Sequence, residues 1–339
     1  MTSQLEQRPA TVSLKRILPP VITGQEVVLV AVIAVLWVLL GIFTPSFLSP
    51  GSIGPLLVAV APVALIGIGM TFIIITGGID VSVAGMTMVS AVITARLLVS
   101  IEIPLILAVL VSMAVGAALG SLNGFLVAYA RVHPIIITFG TWNLFLFLGY
   151  RVFDSSTVNG IPDTFDVFGK GAAGSTLGVP NSFAIVVVLV IAAWWFLRYT
   201  RAGRNLYAIG GNAEAARLTG ISVQPRLVWV YAITGLLVGL AACITIASGT
   251  SSLDQSVGNG RELEVIAAVV IGGTSIMGGR GSVVGTLLGA LLVQTVAVGV
   301  TQLGWPSQLS RLFVGAFIII AVGTDLVRER ARRNAGRKS

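Results

Sequence analysis

The chain is built from long apolar runs separated by short polar segments. A bilayer core is about 30 Å thick, so a spanning helix needs about 20 mostly apolar residues. Backbone groups inside lipid must satisfy one another, which selects helices. The pattern therefore predicts an all-α membrane protein, a polytopic helical bundle with about ten transmembrane helices. The ten runs are residues 26–43, 55–76, 81–99, 104–130, 135–153, 182–199, 227–248, 262–277, 283–303 and 310–326.

The composition agrees with a membrane protein, and it argues against several kinds of disulfide, metal and catalytic site. The chain is 55% hydrophobic and 10% charged, whereas soluble domains carry about 25% charged residues. The single cysteine, Cys243, excludes an intramolecular disulfide, and the single histidine, His133, argues against a histidine metal site or catalytic triad. We expect no cofactor and no metal. The net charge of +8 is better explained by membrane orientation than by a nucleic acid partner.

The positive charges predict an orientation. Most of the 21 Lys and Arg residues fall in alternate connecting segments, and cytoplasmic segments are the ones enriched in such residues. This bias favours both termini in the cytoplasm. The predicted organisation is a cytoplasmic segment 1–25, a single transmembrane domain 26–327 and a basic cytoplasmic tail 328–339. Within the domain, loop 200–226 is expected in the cytoplasm and loop 154–181 outside.

At two places the sequence pattern is compatible with a broken or re-entrant helix. The run 262–277 is short, and the turn 77–80 carries no anchoring cation. Gly77 and Gly78 precede Asp80, and an ionised Asp in mid-bilayer costs about 2.5–3.5 kcal/mol. We therefore expect Asp80 at a helix end. It either caps the third run or serves as a structural or lining residue at a helix break beside a pathway.

The longest polar segment with a helix pattern is residues 207–224. Asn212 is a predicted N-cap, Glu214 suits the positive first turn, and Gly220 suits a helix stop. Such a helix of roughly two turns is too short to be stable alone. It must rest on the membrane domain, on another protein, or on both, unless the segment is an ordinary loop.

Some polar and aromatic side chains interrupt the apolar runs. Hydrogen-bonding groups and aromatic faces can contact a polar solute, so these residues are candidates for a substrate path. Hydrogen bonds between helices explain such residues equally well. Glu262 and Glu264 open the eighth run, where first-turn carboxylates are ordinary. The candidates for the path are Asn123, Trp142, Asn143 and Gln294.

Several motifs together resemble one family. Glu214-Ala215-Ala216, followed by Gly220, is similar to the EAA loop of ATP-binding-cassette (ABC) importer permeases. Residues 76–82 (TGGIDVS) look like that family's glycine–aspartate segment. Residues 208–221 and 263–289 resemble the ribose-type sugar permeases almost residue for residue. From about residue 27 to 327, the hydropathy and the order of the motifs agree with those of such permeases. The chain therefore resembles the ribose/xylose/autoinducer type of ABC importer permease.

The resemblance implies a sugar permease subunit in a bacterial cytoplasmic membrane, powered by a separate ATPase. The chain itself has no phosphate-binding loop, since its only Gly-Lys pair, Gly169-Lys170, lacks the required context. The implied partners are the ATPase, a periplasmic or extracellular sugar-binding protein, and a second permease copy or paralogue. The implied ATPase-coupling residues are Asn212, Glu214, Ala215, Ala216, Arg217 and Gly220.

Two other functions stay open at this point. An ion-coupled secondary sugar transporter would need ionisable residues within the spans, and the acidic residues here fall at the ends of the apolar runs. A membrane-bound enzyme or assembly protein is disfavoured by the scarcity of nucleophile–base pairs and metal ligands. The sequence does not identify which sugar would be carried.

Overall fold

A computed structural model describes residues 24–130, 132–169, 174–248 and 252–336, and most of these described residues are helical. Most of the predicted cytoplasmic segment 1–25, and residues 337–339 of the predicted tail, lie outside the described residues. The described α-helices are α1 Gly24–Phe43, α2 Pro50–Ile75, α3 Val83–Ile101, α4 Leu105–Tyr129, α5 Pro134–Phe153, α6 Asn181–Tyr199, α7 Arg201–Gly211, α8 Ala213–Leu218, α9 Val223–Ser248, α10 Arg261–Ile271, α11 Val283–Gln302 and α12 Gln308–Gly336.

Eight of these helices are long and apolar enough to cross a membrane: α1 to α6, α9 and α11. The structure thus confirms a helical, multi-span architecture. In α12 the apolar part is shorter, Gln308–Gly323. The polar segment between the fifth and sixth spans is not one open loop. It holds strand β1 (Val158–Asn159), a 3₁₀ helix (Asp163–Phe168) and the hairpin of β2 (Ser175–Thr176) with β3 (Val179–Pro180).

The eighth apolar run does not form one helix. Of the alternatives for run 262–277, the structure shows the broken helix, because α10 ends at Ile271 after 11 residues. Such a helix is about 16 Å long, half of a bilayer core. Glycines end it: Gly273, Gly278 and Gly279 all have positive φ, which residues with a Cβ rarely adopt. Residues 272–282 form a non-helical connection to α11.

The helix break at residues 77–80 is confirmed. α2 ends at Ile75 and α3 begins at Val83. Gly77 adopts φ +84°, and its amide donates to Ile74 O in the terminal turn. The second and third predicted spans are therefore separate helices joined by a tight turn.

Helices α4 and α9 pack closely against each other. Glycines from both helices meet backbone to backbone, so a Cβ on Gly116 would lie 2.1 Å from Gly235 O. Ser112 Oγ also donates to Gly239 O at 2.8 Å. Without a strong hydrophobic force between helices in lipid, small residues that allow this approach hold membrane helices together.

Replacing Gly116 with valine is therefore expected to lower the melting temperature of the detergent-solubilised protein by roughly 5 °C or more, because overpacking a tight contact costs about 1–3 kcal/mol. Gly315→Val in α12 is the matched control, since nothing lies within 4 Å of its Cβ position. Equal melting temperatures for the two variants would show that the α4–α9 contact does not limit stability.

Candidate functional site

Two short helices, α7 and α8, connect the spans α6 and α9. Sequence reasoning missed α7, which begins where Thr200 Oγ1 accepts the Gly203 amide at 2.9 Å. One face of α7 is buried, through Gly203, Leu206 and Ile209. The other face is polar and exposed, so α7 lies along the end of the bundle rather than within it.

Helix α8 has the ends predicted from the sequence. Asn212 Oδ1 accepts the Ala215 amide at 2.9 Å, which confirms the N-cap. Gly220 takes φ +84°, and Ile221 N donates back to Ala216 O at 3.1 Å. The Ile221 bond satisfies a carbonyl that would otherwise be free at the end of the helix.

Helix α8 has one buried residue and an exposed remainder. Ala216 is buried and packs with Ile209 and Val223 of this same chain. Leu218, which sequence reasoning missed, is 83% exposed. Glu214 and Arg217 form an exposed ion pair at 3.2 Å, and such pairs contribute little stability in water. We call Ala213, Glu214, Ala215, Arg217 and Leu218 the α8 surface.

Helix α7 ties the α8 surface to the membrane helices. A Cβ on Gly210 would lie 1.7 Å from Ile75 O at the end of α2. The same carbonyl accepts the Gly279 amide at 2.8 Å. Tyr207 donates its hydroxyl to Gly281 O at 3.0 Å, and burial raises the pKa of Tyr207 to about 12, so the donor stays protonated. These contacts therefore join α7, the end of α2 and the segment 272–282 to one another.

Next to the place where α7 meets the end of α2, the break between α2 and α3 carries a buried polar cluster. Asp80 is fully buried, and its Oδ1 accepts from Ser82 N at 2.9 Å and Ser82 Oγ at 2.6 Å. Asn123 of α4 donates to Ser82 Oγ at 2.6 Å. Asp80 is not the cap of α3, because the N-cap position is Ser82. Its Oδ2 also accepts from Asn123 Nδ2 at 3.5 Å, so the carboxylate links the break to α4.

Two further helices contribute to the Asp80 cluster. Thr138 of α5 donates to Ile79 O at 3.1 Å and accepts Val81 N at 3.3 Å. Tyr231 of α9 places its hydroxyl 2.8 Å from where a Cβ on Gly78 would be, which explains the second glycine. Within the described residues, the Tyr231 hydroxyl and Asn123 Oδ1 have no hydrogen-bond partner. The break is thus held by α4, α5 and α9.

The other candidates lie away from this cluster. Asn143 is exposed near the middle of α5 and bonds only Phe139 O, at 2.9 Å, among the described contacts. Trp142 is half-buried beside Phe139, and its indole N–H has no partner among the described residues. An uncovered amide at mid-span is unfavourable in lipid. This face of α5 therefore needs water or another protein over it.

Gln294 marks a second polar cluster that sequence reasoning did not recognise. Its Nε2 donates to Glu264 Oε2 at 3.2 Å, and Arg261 pairs with Glu264 at 3.1 Å. Gln294 is the twelfth of the 20 residues of α11. Glu264 stands in the first turn of α10, at the end of its own helix as expected, but it lies level with the middle of α11.

The bundle, its broken helices and its peripheral α7–α8 pair define a multi-pass membrane transport subunit. Residues 52–322 match the family described as the permease component of the branched-chain amino acid transport system. The chain belongs to this family of permeases, whose members are transport subunits rather than enzymes.

Curated relatives are similar over most of the chain. The ribose import permease protein of Escherichia coli K12 is 37% identical over 88% of this chain and 90% of its own length. That of Bacillus subtilis is 39% identical over 86% and 89%. The fructose import permease protein of Rhizobium meliloti is 35% identical over 83% and 79%. No solved structure matches the chain.

Proposed function

We propose that the chain is the membrane-spanning subunit of an ABC importer that moves a sugar or sugar-like solute into the cytoplasm. The observation that carries this is the exposed α8 surface, tied through Gly210 to the end of α2. A separate ATPase docks on the α8 surface. ATP-driven movement of the docked ATPase then shifts α7, and with it the helix break that the Asp80 cluster holds.

The proposed topology has ten crossings in a bacterial cytoplasmic membrane, with both termini in the cytoplasm. The eight long helices supply eight crossings. α10 with residues 272–282 supplies another, and α12 supplies the last. The excess of Lys and Arg on the proposed inner segments supports this orientation. It places α7 and α8 in the cytoplasm.

The remaining partners follow from the surfaces and the relatives. A second copy or a paralogous permease covers the face of α5 that carries Asn143, and the solute path runs between the two permeases. A periplasmic or extracellular binding protein delivers the solute. The ribose and fructose permeases among the relatives favour a monosaccharide. This chain binds no cofactor, because ATP is used by the partner subunit.

The docking step is tested by Leu218→Asp. An exposed leucine at a docked surface is desolvated, so a charge there is expected to reduce ATPase recovery with the permease at least tenfold. Glu214→Lys is expected to act in the same direction and to abolish uptake. The measurement is co-purification from mild detergent, normalised to permease.

The matched control is Leu177→Asp. Leu177 is fully exposed and lies on the proposed outer side, so its replacement should leave ATPase recovery unchanged. Full ATPase recovery with Leu218→Asp and Glu214→Lys would overturn the assignment of the α8 surface.

An ion-coupled transporter remains as a second candidate because of one observation. Glu264 lies level with the middle of α11, where a coupling carboxylate would be placed. Uptake into vesicles that stops without ATP and persists with an uncoupling ionophore supports the importer. Uptake that follows the ion gradient without ATP supports the second candidate.

A further inference from the structure

The first turn of α10 begins inside the bundle, not at its edge. Gly258, three residues before α10, packs on α3: its Cβ position is 2.8 Å from Ala84 O and 3.3 Å from Thr87 Cβ. Thr87 is only the fifth of the 19 residues of α3. On the other side of α10, Glu264 accepts a hydrogen bond from Gln294, which lies near the middle of α11. The chain therefore enters the bundle before α10 starts.

This entry begins from an anchored strand. β4 (Ser252–Leu253) pairs with β1, so that Leu253 lies opposite Val158. From Leu253, five residues reach Gly258 and the level of Thr87. Gly258 and Gly260 both have positive φ, which allows the sharp reversal into α10. Half-helices of this kind occur in transporters where their ends line a cavity.

Charged and amide side chains converge at this end of α10. Arg261 bonds Glu264 at 3.1 Å, and Glu264 also accepts from Gln294 at 3.2 Å. Glu262 is buried, with 9% of the residue exposed, and its Oε2 has no hydrogen-bond partner among the described residues. A buried carboxylate oxygen without a donor is costly. It indicates a donor that is supplied by something other than the described chain.

The surface beside this turn is open and partly polar. Asn259 is exposed, and Leu263 is 57% exposed. The side chain of Glu264 is 37% exposed. Charged groups facing hydrocarbon cost about 2.5–3.5 kcal/mol each, so this face borders water or a polar ligand rather than lipid.

We propose that the first turn of α10 and Gln294 form the contact site for the transported solute, and that the site takes a neutral polyhydroxylated molecule. This rests on the proposed transport function and extends it to named residues. Glu262 and Glu264 accept hydrogen bonds from solute hydroxyls. Arg261 and the amide of Gln294 donate to solute oxygens.

The charges at the site select against anions. Arg261 is compensated by Glu264, so the carboxylate of Glu262 is the one left without a counter-ion in the described cluster. A phosphorylated or carboxylated solute would be repelled by it, since like charges in a poorly screened site repel strongly. A sugar hydroxyl instead supplies the donor that Glu262 Oε2 lacks.

Thiol labelling tests whether the site borders water. The only cysteine, Cys243, is buried, and Cys243→Ala gives a cysteine-free background. Asn259→Cys and Leu263→Cys, in the assembled importer, are expected to react with a membrane-impermeant maleimide at least tenfold faster than Val188→Cys. Val188 is 64% exposed near the middle of α6, on an apolar face. Labelling of both variants as slow as that of Val188→Cys would overturn the proposal.

Transport kinetics test whether the site contacts solute. In the reconstituted importer, with the solute that its binding protein carries, Glu264→Gln and Gln294→Leu are expected to reduce uptake at least tenfold. ATP hydrolysis stimulated by the loaded binding protein should stay within twofold. Unchanged uptake, or uptake and hydrolysis falling in proportion, would overturn the site. If the proposed transport function itself is wrong, the result is different, because no ATPase would then co-purify with the unmodified permease.

Discussion

Gly210→Ala is expected to reduce solute uptake at least tenfold while the permease stays in the membrane. The added Cβ would lie 1.7 Å from Ile75 O and 2.6 Å from Gly279 N, and backbone atoms cannot rotate away as side chains do. α7 must therefore move off the end of α2. We expect ATP hydrolysis by the complex to lose its response to the loaded binding protein, because the contact that carries the movement is broken.

The neighbouring glycine supplies a stringent control. Gly211 is also in α7, but nothing lies within 4 Å of its Cβ position. Alanine at either position favours the helical state by about 1 kcal/mol over glycine, so helix propensity predicts that both changes are harmless. Gly211→Ala should retain uptake within twofold. Equal uptake by the two variants would exclude the α7–α2 contact as the coupling route.

Asp80→Ala is expected to destabilise the protein through the buried cluster. The change removes the acceptor for Ser82 N and Ser82 Oγ, and each buried donor left unpaired costs about 1–3 kcal/mol. At about 2–4 °C per kcal/mol, the melting temperature of the detergent-solubilised protein should fall by roughly 5–15 °C. Uptake should fall too, because the break between α2 and α3 loses its anchor to α4.

The chain contains the same turn in an exposed setting. Asp254 Oδ1 accepts from Ser256 N at 2.7 Å and Ser256 Oγ at 2.5 Å, the same two bonds that Asp80 makes to Ser82. Water replaces these bonds when Asp254 is changed to alanine. The melting temperature should therefore change only by the small amount that a stability change of about 0.5 kcal/mol produces. A drop as large as that of Asp80→Ala would mean that burial is not the reason for the effect.

Local signals in the sequence predicted the local structure well. The lengths of the apolar runs identified the long helices, and the Gly77-Gly78 pair identified the helix break. Asn212 and Gly220 identified both ends of α8. Each of these features depends on residues within a few positions of one another, so the sequence pattern contains the information.

The depth of each element in the bundle was not predictable in this way. Hydropathy gives the length of a run but not where a helix starts relative to its neighbours, so the start of α10 beside Thr87 and Gln294 was missed. α7 was missed because glycines such as Gly210 lower helix propensity, while its stabilising contact is to Ile75, far away in sequence. The inward face of Ala216 and the exposure of Leu218 likewise depend on packing.

In the proposed function, a separate ATPase drives transport through α7 and α8. The most direct measurement is solute uptake into proteoliposomes that contain the permease, the ATPase that co-purifies with it and the binding protein, with ATP supplied on the ATPase side. We expect uptake that requires ATP and that is lost with Leu218→Asp but not with Leu177→Asp. Uptake by the permease alone, without ATP, would contradict it.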